Sequence, residues 1–250
     1  MRGHLVNLAG KKVLEAGSGA GRFTEVLLDE SAAVDSFDYS HAVEANALNN
    51  GHSDQLTLVQ ADIRCMPFVK EGYDYVICLG VLQHTPSPEE SLTYLWEMVR
   101  PGGYLVFDHY SWGWGRSLPP PIGSAENVYR PIIKRMPSGV QLKLVKAITD
   151  FWFPVHWKFR DYRFVQKLLA RLSPVHFYYP TIPLRGREMY YEWALLDTHD
   201  GTTDYFKHYR NENQIKAYLE YLDAHDIRVT RGGNGIEAMC RKRGISECTS

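Results

Sequence analysis

The stretch Lys12-Val13-Leu14-Glu15-Ala16-Gly17-Ser18-Gly19-Ala20-Gly21-Arg22-Phe23 decides how the chain is read. Val13-Leu14 reads as a short buried strand, and three alternating glycines follow it at once. From Arg22 to Leu28, Phe23, Val26 and Leu27 recur at helical spacing. Strand, glycine turn and helix open a nucleotide-binding α/β unit, in which backbone without side chains lets a ligand lie against the turn. A dinucleotide fingerprint needs glycine at the first, third and sixth positions; counted from Gly17, the sixth position is Arg22. No Gly-Lys-Ser/Thr ending follows, so a phosphate-cradling loop is excluded as well. Glu15, just before the turn, suits a ligand amine or sulfonium better than a pyrophosphate.

Outward from that turn the chain alternates strands and helices. Residues 32–38 read as a second strand ending at Asp38, 21 positions beyond Gly17, where a carboxylate can take the ribose hydroxyls of a nucleoside. Ser40 reads as the cap of a helix with Ala42, Val43, Ala45 and Leu48 as its apolar members. Strands follow at 56–60, ending near Asp62 and Ile63, and at 73–78, ending at Leu79-Gly80 and His84. Ser87-Pro88-Glu89-Glu90 starts a helix that Pro101-Gly102-Gly103 ends, and strand five runs from Tyr104 to Asp108-His109. Polar or glycine residues thus stand at the carboxyl ends of successive strands, which share one edge of an open parallel sheet.

These residues resemble the core of class I S-adenosylmethionine-dependent methyltransferases, in the group acting on small molecules and lipids. The resemblance covers residues 11–108 and rests on the glycine turn, Gln60-Ala61-Asp62-Ile63, the run from Leu79 to Pro86, and Pro101-Gly102-Gly103. It implies a Rossmann-like, doubly wound sheet of seven strands, the last pair antiparallel, with a helical lid inserted after strand five. It also implies S-adenosylmethionine as cofactor and S-adenosylhomocysteine as product. Glu15, Gly17, Ser18, Gly19 and Gly21 would hold the methionine part, with Leu79 and Gly80 beside it. Asp38, with Tyr39 and Ser40, would take the ribose, and Asp62 with Ile63 the adenine. Ser18 stands where these enzymes often have Cys, and Gln83 where many have His; neither change removes a charge the cofactor needs.

The implied boundaries are a core of residues 1–110 and 210–243, an insert of 111–209 and a tail of 244–250. Trp112-Gly113-Trp114-Gly115 and Pro119-Pro120-Pro121 read as loop. Amphipathic helices are expected over 140–153 and 164–172, their apolar stripes packed inward as in a lid. From Arg130 to Arg171, ten Lys or Arg stand against Asp150 and Asp161, a formal +8 within a chain of net charge −1. The basic residues read either as a solvated face or as a surface for anionic partners, including peripheral contact with a membrane. Near-neutral charge overall gives no footprint for nucleic acid. A helix over 211–222 and strands at 227–229 and 235–239 close the core.

The four cysteines show no Cys-x-x-Cys pair, so no zinc site or disulfide framework is indicated. No signal-peptide core or span-length apolar run is present, so a cytoplasmic location is expected. Asp197, His199 and Asp200 form a short loop cluster of a kind that seldom binds metal, and no metal is expected. Methyl transfer from a sulfonium chiefly needs alignment of the acceptor, and a hydroxyl acceptor also gains from a general base. His84, His109 and His208 are the candidates, each also readable as a structural histidine. The expected activity is methyl transfer to oxygen of a small-molecule, glycan or lipid-like acceptor. A non-catalytic cofactor-binding protein that docks through its basic insert is the alternative.

Overall fold

The computed structural model describes residues 8–244 except 31, 180 and 234, and leaves out the side chains of 115 and 116. The elements are β1 (Lys12–Ala16), α1 (Arg22–Asp29), β2 (Ala33–Asp38), α2 (Ala42–Asn50), β3 (Leu56–Gln60), β4 (Tyr73–Cys78), α3 (Pro88–Met98) and β5 (Val99–His109). They continue as α4 (Trp114–Ser117), α5 (Glu126–Ile133), α6 (Ser138–Lys158), α7 (Arg163–Leu169), α8 (Gly186–Thr203), α9 (Glu212–Tyr221), β6 (His225–Gly232) and β7 (Gly235–Arg241). The chain divides into two compact units, Met1–Ser111 with Phe206–Ser250, and Trp112–Tyr205. The expected tail lies, apart from Gly244, outside the described residues.

The first unit is a seven-stranded sheet in the order β3-β2-β1-β4-β5-β7-β6. The first five strands in that order pair in parallel, and β7 runs antiparallel to both β5 and β6. Alternation along the strands sends residues to opposite faces. Val13, Val34, Tyr75, Ile77 and Val106 pack with Leu27 of α1. Leu14, Val76, Cys78, Leu105 and Phe107 pack with Leu92 and Leu95 of α3 and Ile215 and Leu219 of α9. The reversal of connection direction on either side of β1 and β4 opens a crevice at their carboxyl ends.

Several local expectations are corrected. Strand five begins at Val99 and not at Tyr104: α3 ends at Met98 and passes directly into β5, so Pro101-Gly102-Gly103 lies within the strand, and the backbone at Gly102 and Gly103 pairs with Lys242. The residue directly before α2 is His41, one position after the expected cap Ser40, whose hydroxyl donates to Asp38 and accepts from Ala42 N at 3.2 Å. Leu48 is 88% exposed, whereas Asn46 and Asn50 are buried on the inner face of that helix. Trp114–Ser117 forms a single helical turn within the expected loop, and α5 is an additional helix. Asp197, His199 and Asp200 lie on α8, not in a loop, so Asp197 and His199, two apart, point in divergent directions.

In the second unit, α6 and α8 enclose a small aromatic core of Phe153, Val175, Tyr190 and Ala194. Phe153 sits edge-on to Phe177 and Tyr191 and stacks on Trp157. The inward packing expected of the two apolar stripes holds for only part of each. Val145 and Leu169 are buried, but Phe151, Phe164, Leu168 and Leu172 are exposed.

Candidate functional site

The turn after β1 is held from below by a chain of buried polar groups. Period-two alternation puts Glu15 on the same side of β1 as Val13, facing α1. One oxygen of its carboxylate, Oε2, accepts from Thr24 Oγ1 at 2.6 Å and from Ser36 Oγ at 2.7 Å. Thr24 Oγ1 in turn accepts from Asn46 Nδ2 at 2.8 Å. Asn50 Nδ2 donates to both Asn46 Oδ1 and the Gly21 carbonyl. Burial raises the Glu15 pKa above the ordinary carboxylate value, against the lowering effect of the Thr24 and Ser36 hydroxyls. Its second oxygen, Oε1, is buried with no partner among the described residues. An orphaned carboxylate oxygen beneath a glycine turn is suited to a ligand ammonium.

Three glycines of the turn have positive φ, +77° at Gly17, +54° at Gly19 and +92° at Gly21. They differ in what surrounds them. A Cβ on Gly17 would meet Val81 Cγ2 at 2.2 Å, and one on Gly21 would meet Asn46 Oδ1 at 2.2 Å. A Cβ on Gly19 would meet nothing within 4 Å, and the same holds at Gly80, where φ is +74°. Gly17 and Gly21 are therefore glycine for packing, while Gly19 and Gly80 border open space. The backbone N–H groups of Gly17 and Ser18 donate to the Phe37 carbonyl, which fastens the turn to the tip of β2.

Asp38 stands at that tip. Its Oδ2 accepts from Gly19 N at 2.8 Å, and its Oδ1 accepts from Ser40 N at 2.8 Å and Ser40 Oγ at 2.6 Å. Oδ1 thus has both lone pairs engaged, while Oδ2 keeps one for a further donor. Gly80 N donates to Asp108 Oδ1 at 2.6 Å, so the buried Asp108 of β5 fixes the turn after β4.

A cleft of about 460 Å³ opens over this edge, within the range of small-molecule sites. Gly17, Asp38, Tyr39, Asp62, Ile63 and His84 line it, and all six were expected there from the sequence. Phe37, Arg64, Val81, Thr85, Pro86 and Phe206 also line it without having been expected. Asp62 is engaged by the Arg64 guanidinium at 2.7 Å and 3.1 Å, and that hydrogen bonding, ahead of any other influence, lowers its pKa. Glu15, Ser18, Gly21, Ser40 and Leu79 frame the turns and do not line the cleft; Gly19 and Gly80 are not part of its wall either but face open space at the same turns. Thr24, Asn46, Asn50 and Asp108 escaped sequence reading as supports. Buried Asn at two positions one turn apart in α2 is the signal that would have found the first three.

The three histidines are placed differently. His84 lines the cleft, and its ring meets Tyr110 edge-on at 5.3 Å. His109 is 1% exposed and does not line the cleft. Its Nδ1 lies 3.1 Å from the Tyr110 carbonyl, and burial pushes its pKa down to about 4. His208 is half-buried and stacks on Phe206, and its pKa is lowered by burial and then by Arg210. The segment carrying His208 is fastened by its N–H to the Gln83 carbonyl. Arg210 fastens it further, reaching both carboxylate oxygens of Glu89 at 2.6 Å and 3.0 Å.

A family model described as a methyltransferase domain matches residues 14–107. The ubiquinone biosynthesis O-methyltransferase of Pseudomonas fluorescens strain SBW25 is 35% identical over 108 residues. The match covers 41% of this chain and 45% of that protein. The chain thus spans less than half the length of the curated relatives it matches. A solved S-adenosylmethionine-dependent methyltransferase from Methanosarcina mazei covers 97% of this chain, with 96% of its own length covered, at 12% identity and a TM-score of 0.54, a likeness of fold. Phosphoethanolamine N-methyltransferase 2 of Haemonchus contortus, solved with S-adenosyl-L-methionine, covers 92% of this chain, with 36% of its own length covered, at 15% identity and a TM-score of 0.50. Residues 14–107 are thus similar to a methyltransferase domain, and the glycine cradle, the orphaned Glu15 oxygen and the strand-tip Asp38 fall within or beside the matched residues.

Proposed function

We propose that the chain transfers a methyl group from S-adenosylmethionine to an oxygen of a small-molecule, glycan or lipid-linked acceptor. The observation that carries the reading is His84, an imidazole on the wall of the same cleft that Gly17 and Asp38 line. The cofactor supplies an electrophilic methyl group on a sulfonium; the rest falls to side chains of the protein. Glu15 takes the ammonium, the Gly17–Gly21 turn leaves room for the methionine part, Asp38 accepts the ribose hydroxyls, and Ile63 with Phe37 gives the adenine an apolar wall. Asp108 holds Gly80 in place beside the sulfonium end. A hydroxyl acceptor loses its proton as the new bond forms, and an imidazole is the side chain suited to receive it near neutral pH.

His84 suits that role better than the other two. His109 is sealed in the core, and His208 reaches the cleft only through its stack on Phe206. The O-methyltransferase relatives support oxygen as the acceptor atom. No helix among the described residues is long and apolar enough to cross a membrane.

The test is calorimetric titration with S-adenosylmethionine, S-adenosylhomocysteine and NAD, followed by transfer of labelled methyl to a panel of phenols, sugars and isoprenoid alcohols. Binding of the first two ligands and label in an ether product are expected. Binding of NAD alone would overturn the reading, and label on nitrogen would move the acceptor to an amine.

A further inference from the structure

The helix α7 is built inside out. Its inner side carries a polar residue: Gln166 Oε1 lies 2.8 Å from His156 Nδ1, and Gln166 Nε2 donates to the carbonyls of His156 and Phe159. His156 Nε2 lies 3.0 Å from Ser173 Oγ, so both ends of the imidazole are engaged, and Leu169 is buried beside this network. These bonds fix the rotation of the helix about its axis. The side left outward holds Phe164 and Leu168, and Leu172 follows in the turn after the helix; the three are 81%, 50% and 53% exposed. Arg163 and Lys167 stand one position before the two apolar residues on the helix, and Arg171 one position before Leu172 in the turn, so cations border the apolar residues. All three are exposed and make no ion pair among the described residues. No acidic residue occurs between positions 162 and 172.

Burying Phe164 and Leu168 inward would have been the ordinary outcome for this sequence, yet Gln166 is in that place. An apolar row bordered by cations matches a bilayer surface whose headgroups are anionic: the row enters the acyl boundary while the cations stay with the phosphates. We propose that the outward side of α7 and the turn that follows it, residues 163–172, docks the protein on an anionic phospholipid membrane. The proposal does not depend on the acceptor or on the methyl-transfer reading.

Vesicle co-sedimentation tests it, with vesicles of pure phosphatidylcholine and vesicles containing about one-third phosphatidylglycerol. The full chain is expected to sediment with the anionic vesicles only, and several-fold less as salt rises from about 0.1 M to about 0.5 M. The triple variant Phe164→Ser/Leu168→Ser/Leu172→Ser and the triple variant Arg163→Gln/Lys167→Gln/Arg171→Gln should each lose binding at least tenfold. Leu48→Ser, at an equally exposed apolar position on α2, should not lose it. Circular dichroism and titration with S-adenosylhomocysteine show whether each variant stays folded. Equal sedimentation of wild type and the two triple variants overturns the proposal. So does a failure of the wild type to sediment with anionic vesicles, whether or not light scattering shows a dimer that the serine variant abolishes.

Discussion

On the proposed function, Asp38 and His84 are the residues on which the chemistry turns. Removing the Asp38 carboxylate takes away the acceptor of the Gly19 N–H as well as the ribose partner. Hydrogen bonds to a charged group contribute about 1.5–3 kcal/mol, so Asp38→Ala is expected to weaken S-adenosylhomocysteine binding roughly ten- to a hundredfold, read by calorimetry. His84→Gln keeps a polar ring-sized group at the cleft wall but cannot take a proton. Its kcat should fall roughly a hundredfold or more, with cofactor affinity within about twofold of wild type. An unchanged kcat would remove His84 from the role of base. At this scale the sequence was legible where backbone geometry dictates residue type, as at Gly17 and Asp38. It was not legible for the histidines, because proximity to a strand tip does not say which way a ring points. His109 follows Asp108 on β5, and alternation turns the one into the core and the other toward Gly80.

Among the elements, the glycine turn separates packing from function. Gly17→Ala combines a positive φ with a clash against Val81, and a loss of about 2–3 kcal/mol in denaturant unfolding is expected. Adding Val81→Ala relieves the clash but not the backbone, so part of that loss should return. Gly19→Ala meets no neighbour, so its folding cost stays near about 1 kcal/mol, yet the new methyl intrudes where a ligand would lie and cofactor affinity should fall further than stability. Equal effects of the two alanines on affinity and stability would refute the distinction. At the other end of the sheet, Asn211 and Gln214 form a reciprocal capping box at the start of α9. Asn211→Ala should cost about 1 kcal/mol without touching cofactor binding. Helix existence was readable from spacing in α1, α3, α6 and α9. The failures came where polar burial replaced apolar burial: α2 turns Asn46 and Asn50 inward and leaves Leu48 in water, and α7 turns Gln166 inward. Periodicity counts apolar residues and is blind to a hydrogen-bonded interior.

For the whole molecule, pH gives the broadest prediction. His109 has its pKa pushed down to about 4, and those of His156 and His208 are also lowered, in every case first by burial. The unfolded chain binds protons at these sites near pH 6.5, where the folded chain does not, so stability rises with pH across that window. The stabilisation is fully present above about pH 6.5 and is lost as pH falls toward 4, with His109 alone accounting for on the order of 3 kcal/mol. Urea midpoints measured between pH 7.5 and about 4.5 should therefore decline, and His109→Gln should flatten the decline. A decline of the same size in that variant would place the loss elsewhere. By itself the sequence determined the order of strands and helices, the glycine turn and the acid 21 positions after it, because hydrophobic period and backbone sterics act locally. Only the tertiary structure decided which oxygen of Glu15 is left for a ligand, which histidine faces the cleft, and which side of α7 meets water. Each of those depends on partners far along the chain or across a loop, Ser36 for Glu15, Tyr110 for His84 and His156 for Gln166, and no local pattern encodes a contact whose other half lies elsewhere.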